Sequence, residues 1–325
     1  MEKEIFKYAK KFLPIIGIIL LIYLIYSLGV EDIKNAFLSI HPIYIIIALS
    51  LTIPRLLIRN YAWQIIQKEQ KIEIGYWKLL KIFMIGYFYC SVTPGFVGHV
   101  MRVPYLKEHT YQPYGKLFVN TVIEVLVRTV ALYTMITLGV LISIQLSIDI
   151  SNLIFVWLIV VIITIIILLY FFEKERGEKT FLTLIKYFIP NRLKSDFQAF
   201  VGTFYTDLPR IKKLIIPFFL GIITWIIIFS QEYIIVIALG LKIPYIYFIL
   251  LFPIANIIGF IPITVAGIGT RDAAAVFIFT SLFPVAGAEI LVVSLLGFIL
   301  TDIFTGFVGF LVSLTETKTK VKNFF

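Results

Sequence analysis

Two short stretches rich in glycine and proline interrupt strongly apolar sequence, and they limit the fold of this chain more than any other feature. The first is PGFVGHVMR at residues 94–102, and the second is PITVAGIGTRD at residues 262–272. In lipid, each unpaired backbone N–H or C=O group costs several kcal/mol, so an irregular segment at membrane depth must be buried in protein or line a wet cavity. We therefore predict that both breaks form the walls of a polar site inside the membrane.

Each break places an arginine four residues beyond a glycine. Two cations, assisted by exposed N–H groups of half-helix ends, would bind an anionic head group such as phosphate. The alternative is that each arginine snorkels to an interface and orients its hairpin. The matching positions favour binding, and the predicted binding residues are Pro94, Gly98, Arg102, Pro262, Gly267, Gly269 and Arg271.

Composition places the chain among integral membrane proteins. Hydrophobic residues make up 60% of its 325 residues, and the mean hydropathy is +0.98, whereas soluble domains are just under half apolar. The net charge is +10, but the basic residues lie between apolar segments. Cytoplasmic orientation and contact with anionic membrane lipids therefore explain the charge better than nucleic acid does.

Residues suited to metal or redox chemistry are few. The chain contains one cysteine and three scattered histidines, a pattern that predicts neither a disulfide framework nor a zinc site. Cys90 is predicted to be a small packing residue. Because the sequence also lacks a catalytic triad, a P-loop and a dinucleotide fingerprint, we predict a protein that is not an enzyme and that uses no metal or cofactor.

The hydropathy pattern predicts an all-α integral membrane protein, a polytopic helix bundle forming a single transmembrane domain over residues 1–325. The first segment lacks a small-residue cleavage site, so it is predicted to remain as an uncleaved helix. Residues 29–41 and 145–152 are predicted loops, and residues 173–213 a connector with an amphipathic helix at the membrane surface. The predicted apolar segments are 12–28, 42–66, 82–93, 117–144, 153–172, 214–239, 244–261, 273–283 and 289–314.

The two halves of the chain align with one fixed offset. Three pairs of identical residues are each 169 positions apart: Tyr76 and Tyr245, Gly98 and Gly267, and Arg102 and Arg271. We therefore predict an internal repeat, with a first copy at about 42–172 and a second at about 214–314.

The distribution of basic residues predicts that the repeats are inverted. Segment 82–93 is too short to cross a hydrocarbon core of about 30 Å, so it is predicted to dip in and return as a re-entrant hairpin. Both termini and the basic connector at 173–213 then lie on the cytoplasmic side, and the basic-poor loops lie outside. One hairpin enters from each side, as in alternating-access transporters.

Charged residues inside apolar segments are expensive and need partners. Glu124 and Arg128 are four residues apart on one predicted helix, so they can pair with each other or contribute to a transport pathway. Glu232 and Asp302 are predicted to neutralise Arg271 or Arg102, the alternative being that one of them carries a proton that drives movement.

Four further polar residues lie within the breaks or near a predicted interface. Asp272 directly follows Arg271, within the second break. His99 is either a proton switch in a wet cavity or a hydrogen-bonded structural residue. Arg55 and Arg59 are predicted to snorkel towards the cytoplasmic interface, with Trp63 as an interfacial anchor.

At these positions the chain resembles the family of lysylphosphatidylglycerol synthase transmembrane regions. The matching elements are Arg59-Asn-Tyr-Ala-Trp63, PGFVGHVMR at 94–102 and the later Pro262…Arg271-Asp272 stretch. The resemblance covers nearly the whole chain. Three positions depart from the family pattern: His99 stands where an acid is usual, Ala266 replaces a glycine, and Arg128 replaces an expected acid.

The resemblance implies a flippase-like protein that moves the head group of an anionic lipid or of a polyprenyl-phosphate-linked sugar between leaflets, and lipid-linked sugars are the expected cargo of archaeal relatives. Relatives that aminoacylate lipids carry a separate synthetase domain, and because this chain ends at residue 325 without one, we expect no synthetase activity. The expected partners are membrane lipids with an anionic or phosphate-bearing head group, not nucleic acid, and a homo-oligomer is an open alternative. The rival functions are a secondary transporter of a small anionic solute and, less favoured, a membrane-embedded transferase.

Overall fold

A computed structural model describes residues 17–92, 97–145, 158, 161–162, 166, 176–180, 183, 201–202, 209–259, 264 and 267–315. Within these ranges all regular secondary structure is helical. Predicted segment 153–172 and connector 173–213 lie mostly outside the described residues, and so do Pro94 and Pro262.

Eight helices form the described part of the first half. They are α1 (Gly17–Leu28), α2 (Val30–Ser39), α3 (Pro42–Ser50), α4 (Thr52–Glu69), α5 (Tyr76–Val92), α6 (Val97–Val100), α7 (Arg102–His109) and α8 (Tyr114–Gln145). Pro42 occupies the first turn of α3, where a missing N–H costs nothing, and the His41 side chain accepts a hydrogen bond from the N–H of Ile43.

The described second half begins with a 3-10 turn at Ile211–Leu214 that leads into α9. The helices are α9 (Ile215–Ala238), α10 (Tyr245–Gly259), α11 (Thr270–Leu282), α12 (Gly287–Phe298) and α13 (Phe304–Thr315), with a π-helical turn at Ile299–Ile303 joining the last two. Four stretches are long and apolar enough to cross a membrane: Pro42–Glu69, Tyr114–Ile142, Ile211–Ala238 and Gly287–Thr315. The predicted all-α polytopic class is therefore confirmed.

Two predicted boundaries are wrong. Most of the predicted loop at 29–41 is helix α2, whose first turn carries Glu31 and Asp32 at the positive end of the helix dipole and which packs against α12. Helix α5 begins at Tyr76 rather than at residue 82. The polar residues of its first turns, Lys78 and Lys81, lie on its exposed face, so they extend the helix without being buried.

Each break is followed by a helix that packs back on the helix before it. Helix α5 contacts α6 and α7, and α10 contacts α11. A Cβ on Gly98 would overlap the backbone of Cys90, and a Cβ on Gly267 would lie 2.7 Å from the Cα of Gly259. Gly267 and Gly259 lie 169 positions after Gly98 and Cys90, respectively. The two hairpins therefore make their closest contact at equivalent residues.

The turn before each hairpin also repeats. The N–H of Ile72 donates to the carbonyl of Gln67 at 2.9 Å, and the N–H of Leu241 donates to that of Val236 at 3.1 Å. The residue before each donor has positive φ, 55° in the first turn and 67° in the second. This is the same left-handed helix ending, again at an offset of 169. The inverted orientation of the halves in the membrane and the exact repeat bounds remain predictions.

Helix α9 is central to the described bundle. It packs against α3, α4, α8, α10 and α12. On α9, Trp225 stacks on Phe229 with ring centroids 5.6 Å apart, and Phe229 in turn contacts Phe252 of α10. Because α9 borders both α4 and α8, it forms one wall of the polar cluster described next.

Candidate functional site

The carboxylate of Glu124, on α8, joins two arginines from different helices. Arg59 of α4 donates from Nε to Oε1 at 3.1 Å, and Arg102, the first residue of α7, donates from Nη1 to Oε2 at 2.9 Å. The exposed fractions of Arg59, Arg102 and Glu124 are 3%, 0% and 4%. The first break therefore delivers Arg102 to a buried, charged centre.

Aromatic rings surround these guanidinium groups. The ring of Phe83 lies 4.7 Å from the guanidinium carbon of Arg59 and 4.6 Å from that of Arg102. Tyr87 accepts a hydrogen bond of 2.6 Å from Nη1 of Arg59, and the ring of Trp63 lies 5.1 Å from Arg102. Ring faces attract cations most strongly where water is excluded, so these rings stabilise buried charge that one carboxylate cannot balance.

Trp63 is buried rather than interfacial, so its prediction as a membrane anchor is wrong. It is 0% exposed, and its Nε1 donates to Oδ1 of Asn120 at 2.7 Å. The Asn120 amide in turn donates to Oε1 of Gln70 at 2.6 Å. The indole N–H is thus satisfied internally, which lets the ring face Arg102.

Arg128 lies one helical turn beyond Glu124 but does not pair with it, so the predicted pair is wrong. The two oxygens of Glu124 are instead taken by Arg59 and Arg102. The guanidinium of Arg128 lies 5.2 Å from the ring of Trp225 on α9, and the Trp225 N–H donates to the Arg128 carbonyl at 2.9 Å. Within the described ranges, Arg128 therefore contributes positive charge without a carboxylate of its own.

The cluster has more donors than acceptors. Four of its buried nitrogens have no hydrogen-bond partner among the described residues: Arg59 Nη2, Arg102 Nε and Nη2, and Arg128 Nε. Buried polar groups are normally paired, and an unpaired one costs about 1–3 kcal/mol or more when charged. Unpaired guanidinium N–H groups gathered in this way are suited to binding an anion.

A small cavity opens on this cluster between α4, α8 and α9. The volume within which the centre of a water molecule can move is about 10 Å³. The cavity therefore has room for roughly one water molecule. The lining residues are Arg59, Ala62, Ile66, Glu124, Val127, Arg128, Pro217, Gly221 and Thr224.

The second break delivers Arg271 to a balanced site. Its Nη2 donates to Oδ1 of Asp272 at 2.8 Å and its Nε to the Ser294 hydroxyl at 3.2 Å. The other oxygen of Asp272 accepts the N–H of Gly269 at 2.8 Å and so caps α11. Gly269 has φ of 86°, and a Cβ there would overlap the Gly17 carbonyl of α1. The guanidinium of Arg271 is thus paired with the carboxylate of Asp272, and both oxygens of that carboxylate accept hydrogen bonds.

Neither Glu232 nor Asp302 forms an ion pair with a break arginine among the described residues, although Arg271 lies close enough to act on the charge of Glu232. Neutralisation of Arg271 by Glu232 therefore stays a prediction. Asp272 pairs with Arg271, and Glu124 with Arg102. Asp302 accepts a hydrogen bond of 2.8 Å from Thr301. Glu232, on α9, is 4% exposed, and its Oε2 has no hydrogen-bond partner among the described residues.

Arg55 and Arg59 do not snorkel, so that prediction is also wrong. Arg55 is 1% exposed and donates from Nη2 to the Thr301 carbonyl at 2.8 Å and the Thr305 hydroxyl at 2.6 Å. It therefore ties α4 to the π-helical turn. Arg59 is the site residue that sequence reasoning misassigned, although its place in the Arg59…Trp63 element could have identified it.

The remaining predicted residues are distributed between the two breaks. His99 lies on α6 beside Gly98, within reach of the charges of Arg59, Arg102 and Arg128. In the part of the chain that the structure describes, the cavity is lined by the Glu124 cluster and α9 but not by Arg271. The prediction of one pocket shared by Arg102 and Arg271 stays a prediction.

The fold and the site define a multi-pass, all-α membrane protein with a buried, positively charged centre. The sequence profile of the family described as the lysylphosphatidylglycerol synthase TM region matches residues 12–309. A UPF0104 membrane protein from Methanothermobacter thermautotrophicus is 23% identical over 285 residues, which cover 82% of this chain and 83% of that protein. The chain belongs to the lysylphosphatidylglycerol synthase TM region family.

Proposed function

We propose that this protein is a flippase that moves a lipid with an anionic, phosphate-bearing head group between the leaflets of the cell membrane, with both termini cytoplasmic. The surplus of buried guanidinium donors around Glu124 carries the proposal. Arg59, Arg102 and Arg128 face one paired carboxylate, and several of their nitrogens have no hydrogen-bond partner in the described part of the chain. Arginine matches phosphate because its planar fork binds two oxygens at once.

Glu124 acts as an internal counter-ion in this proposal. It holds Arg59 and Arg102 while no cargo is bound, and a phosphate takes over part of their hydrogen bonding when it enters. Because the cavity has room for about one water molecule, it corresponds to a closed state. Widening it requires α9 to move away from α4 and α8. Gly221 allows their present close approach, since a Cβ there would lie 3.1 Å from that of Ala131 on α8.

The small cavity favours a second candidate, a secondary transporter of a small anionic solute. Both candidates use the same guanidinium groups and the same inverted-repeat arrangement. They differ in what enters the site: a flippase must admit a lipid head group sideways, whereas a solute transporter opens only to water. Transport assays on one preparation distinguish them.

The test is head-group translocation in proteoliposomes that contain the full chain and a fluorescent anionic phospholipid. A membrane-impermeant reductant bleaches only the outer leaflet, so movement appears as additional bleaching. We expect Arg102→Gln and Arg59→Gln to reduce the rate at least ten-fold. Arg102→Lys, which keeps the charge but loses the planar fork, should fall between them and the wild type.

Controls separate a lost site from a lost fold. Arg210→Gln removes an exposed arginine and should transport at the wild-type rate. Thermal unfolding of each variant identifies those that fail to fold. Undiminished transport by folded Arg102→Gln and Arg59→Gln would refute the site. Arg271→Gln tests the second predicted phosphate contact, and uptake of radiolabelled phosphate without lipid movement would favour the solute transporter.

A further inference from the structure

The charge balance of the two clusters differs. The first contains three guanidinium groups, Arg59, Arg102 and Arg128, and one described carboxylate, Glu124, which leaves two positive charges. In the second, Arg271 pairs one to one with Asp272. The two breaks are equivalent positions of the repeat, 169 residues apart. The excess positive charge is therefore a property of the first cluster alone and does not follow from the repeat.

The unpaired donors add a geometric requirement. Four nitrogens on Arg59, Arg102 and Arg128 lack partners among the residues that the structure describes. A phosphodiester has two free oxygens and one negative charge. A phosphomonoester has three free oxygens and carries about two charges at neutral pH, because its second proton dissociates near pH 6. Of the two, the monoester fits better, because its charge equals the surplus of two and its three free oxygens can accept more of the four donors.

We propose that the Glu124 cluster binds a phosphomonoester dianion in preference to a phosphodiester. The source of the phosphate rests on the proposed function: it would be a lipid that ends in a phosphomonoester. Free inorganic phosphate would present the same chemistry to the site. The cavity wall favours the lipid. Its apolar residues, Ala62, Ile66, Val127 and Pro217, lie next to the guanidinium groups, where they would contact an alkyl chain rather than water.

The test measures binding to the purified full chain in a neutral detergent by calorimetric titration. The probes are dodecyl phosphate, its methyl diester and inorganic phosphate, so that chain length is matched and only the phosphate differs. We expect dodecyl phosphate to bind at least ten-fold more tightly than the diester. Inorganic phosphate should bind more weakly than dodecyl phosphate, because it lacks the chain.

Arg128→Gln is the informative variant. It removes one of the two surplus charges. Since Arg128 pairs with no carboxylate among the described residues, the two ion pairs of Glu124 stay intact. The preference for the monoester over the diester should shrink at least three-fold. Arg210→Gln, in an exposed position, should keep the full preference.

The outcomes separate this proposal from the flippase. Equal binding of monoester and diester, or an unchanged preference in Arg128→Gln, overturns the dianion site but leaves lipid translocation intact. Tighter binding of inorganic phosphate than of dodecyl phosphate overturns the lipid source and favours a solute. The purified chain could prefer the monoester over the diester and yet move no lipid in proteoliposomes. That result supports the dianion site and refutes the flippase.

Discussion

The guanidinium of Arg102 donates a hydrogen bond of 2.9 Å to the carboxylate of Glu124, although the two residues lie on different helices. Arg102 is the last residue of the first break and the first of α7, and Glu124 lies in the long helix α8. The contact therefore fixes where the chain re-emerges from the break. Because Glu124 also binds Arg59 of α4, a single carboxylate holds three helices together.

Replacing Glu124 should destabilise the protein severely. Glu124→Ala leaves Arg59 and Arg102 buried without their anion, and breaking a buried pair costs about 3–5 kcal/mol. Thermal unfolding in detergent should show a large drop in midpoint. Glu31→Gln is the matched control, since its ion pair with Lys34 is exposed and should contribute under about 1 kcal/mol. Equal stability of the two variants would contradict the role assigned to Glu124.

Asp272 is expected to have two separable roles, as partner of Arg271 and as cap for the N–H of Gly269. Asp272→Ala removes both and should lower the unfolding free energy by about 3–5 kcal/mol. Asp272→Asn keeps an oxygen that can accept from Gly269 but removes the charge, so its loss should be smaller. If Asp272→Asn unfolds at the wild-type temperature, the ion pair contributes nothing.

Gly267 should not tolerate a side chain. It has φ of 76°, and a Cβ would lie 2.7 Å from the Cα of Gly259. Gly240→Ala provides the control, because Gly240 also has positive φ, 67°, but open space around it. The control should lose about 1–2 kcal/mol from backbone strain alone, and Gly267→Ala substantially more. Similar losses measured by thermal unfolding would show that the hairpin contact is not tight.

Glu232 should be a site at which an apolar residue stabilises the protein. Its Oε2 is buried without a hydrogen-bond partner among the described residues, and such burial costs about 1–3 kcal/mol on mutational scales. We expect Glu232→Met to raise the unfolding midpoint. The neighbouring Gln231→Met should lower it, because Gln231 donates to the Ala48 carbonyl at 2.8 Å and to Thr52 at 2.9 Å. A lower midpoint for Glu232→Met would show that Glu232 has a stabilising partner.

The sequence predicts most of the architecture because hydropathy and helix breaking are local properties. The all-α class, the long apolar helices and the fixed offset of 169 positions follow from residue order alone. That offset places Gly98 and Gly267 at equivalent hairpin contacts, as the structure shows. The errors occur where a segment packs against residues distant in sequence, as α2 does against α12, or where a polar side chain bonds to one, as Trp63 does to Asn120.

By itself, the sequence determines that this chain spans a membrane, where its helices break and that charged residues lie inside it, because each of these depends on local composition. Only the tertiary structure decides which charges meet. Spacing along one helix suggests that Glu124 pairs with Arg128, yet Glu124 binds Arg59 and Arg102, which are 65 and 22 positions away. The energy of a buried ion pair depends on distances across helices, and those distances exist only once the helices have packed.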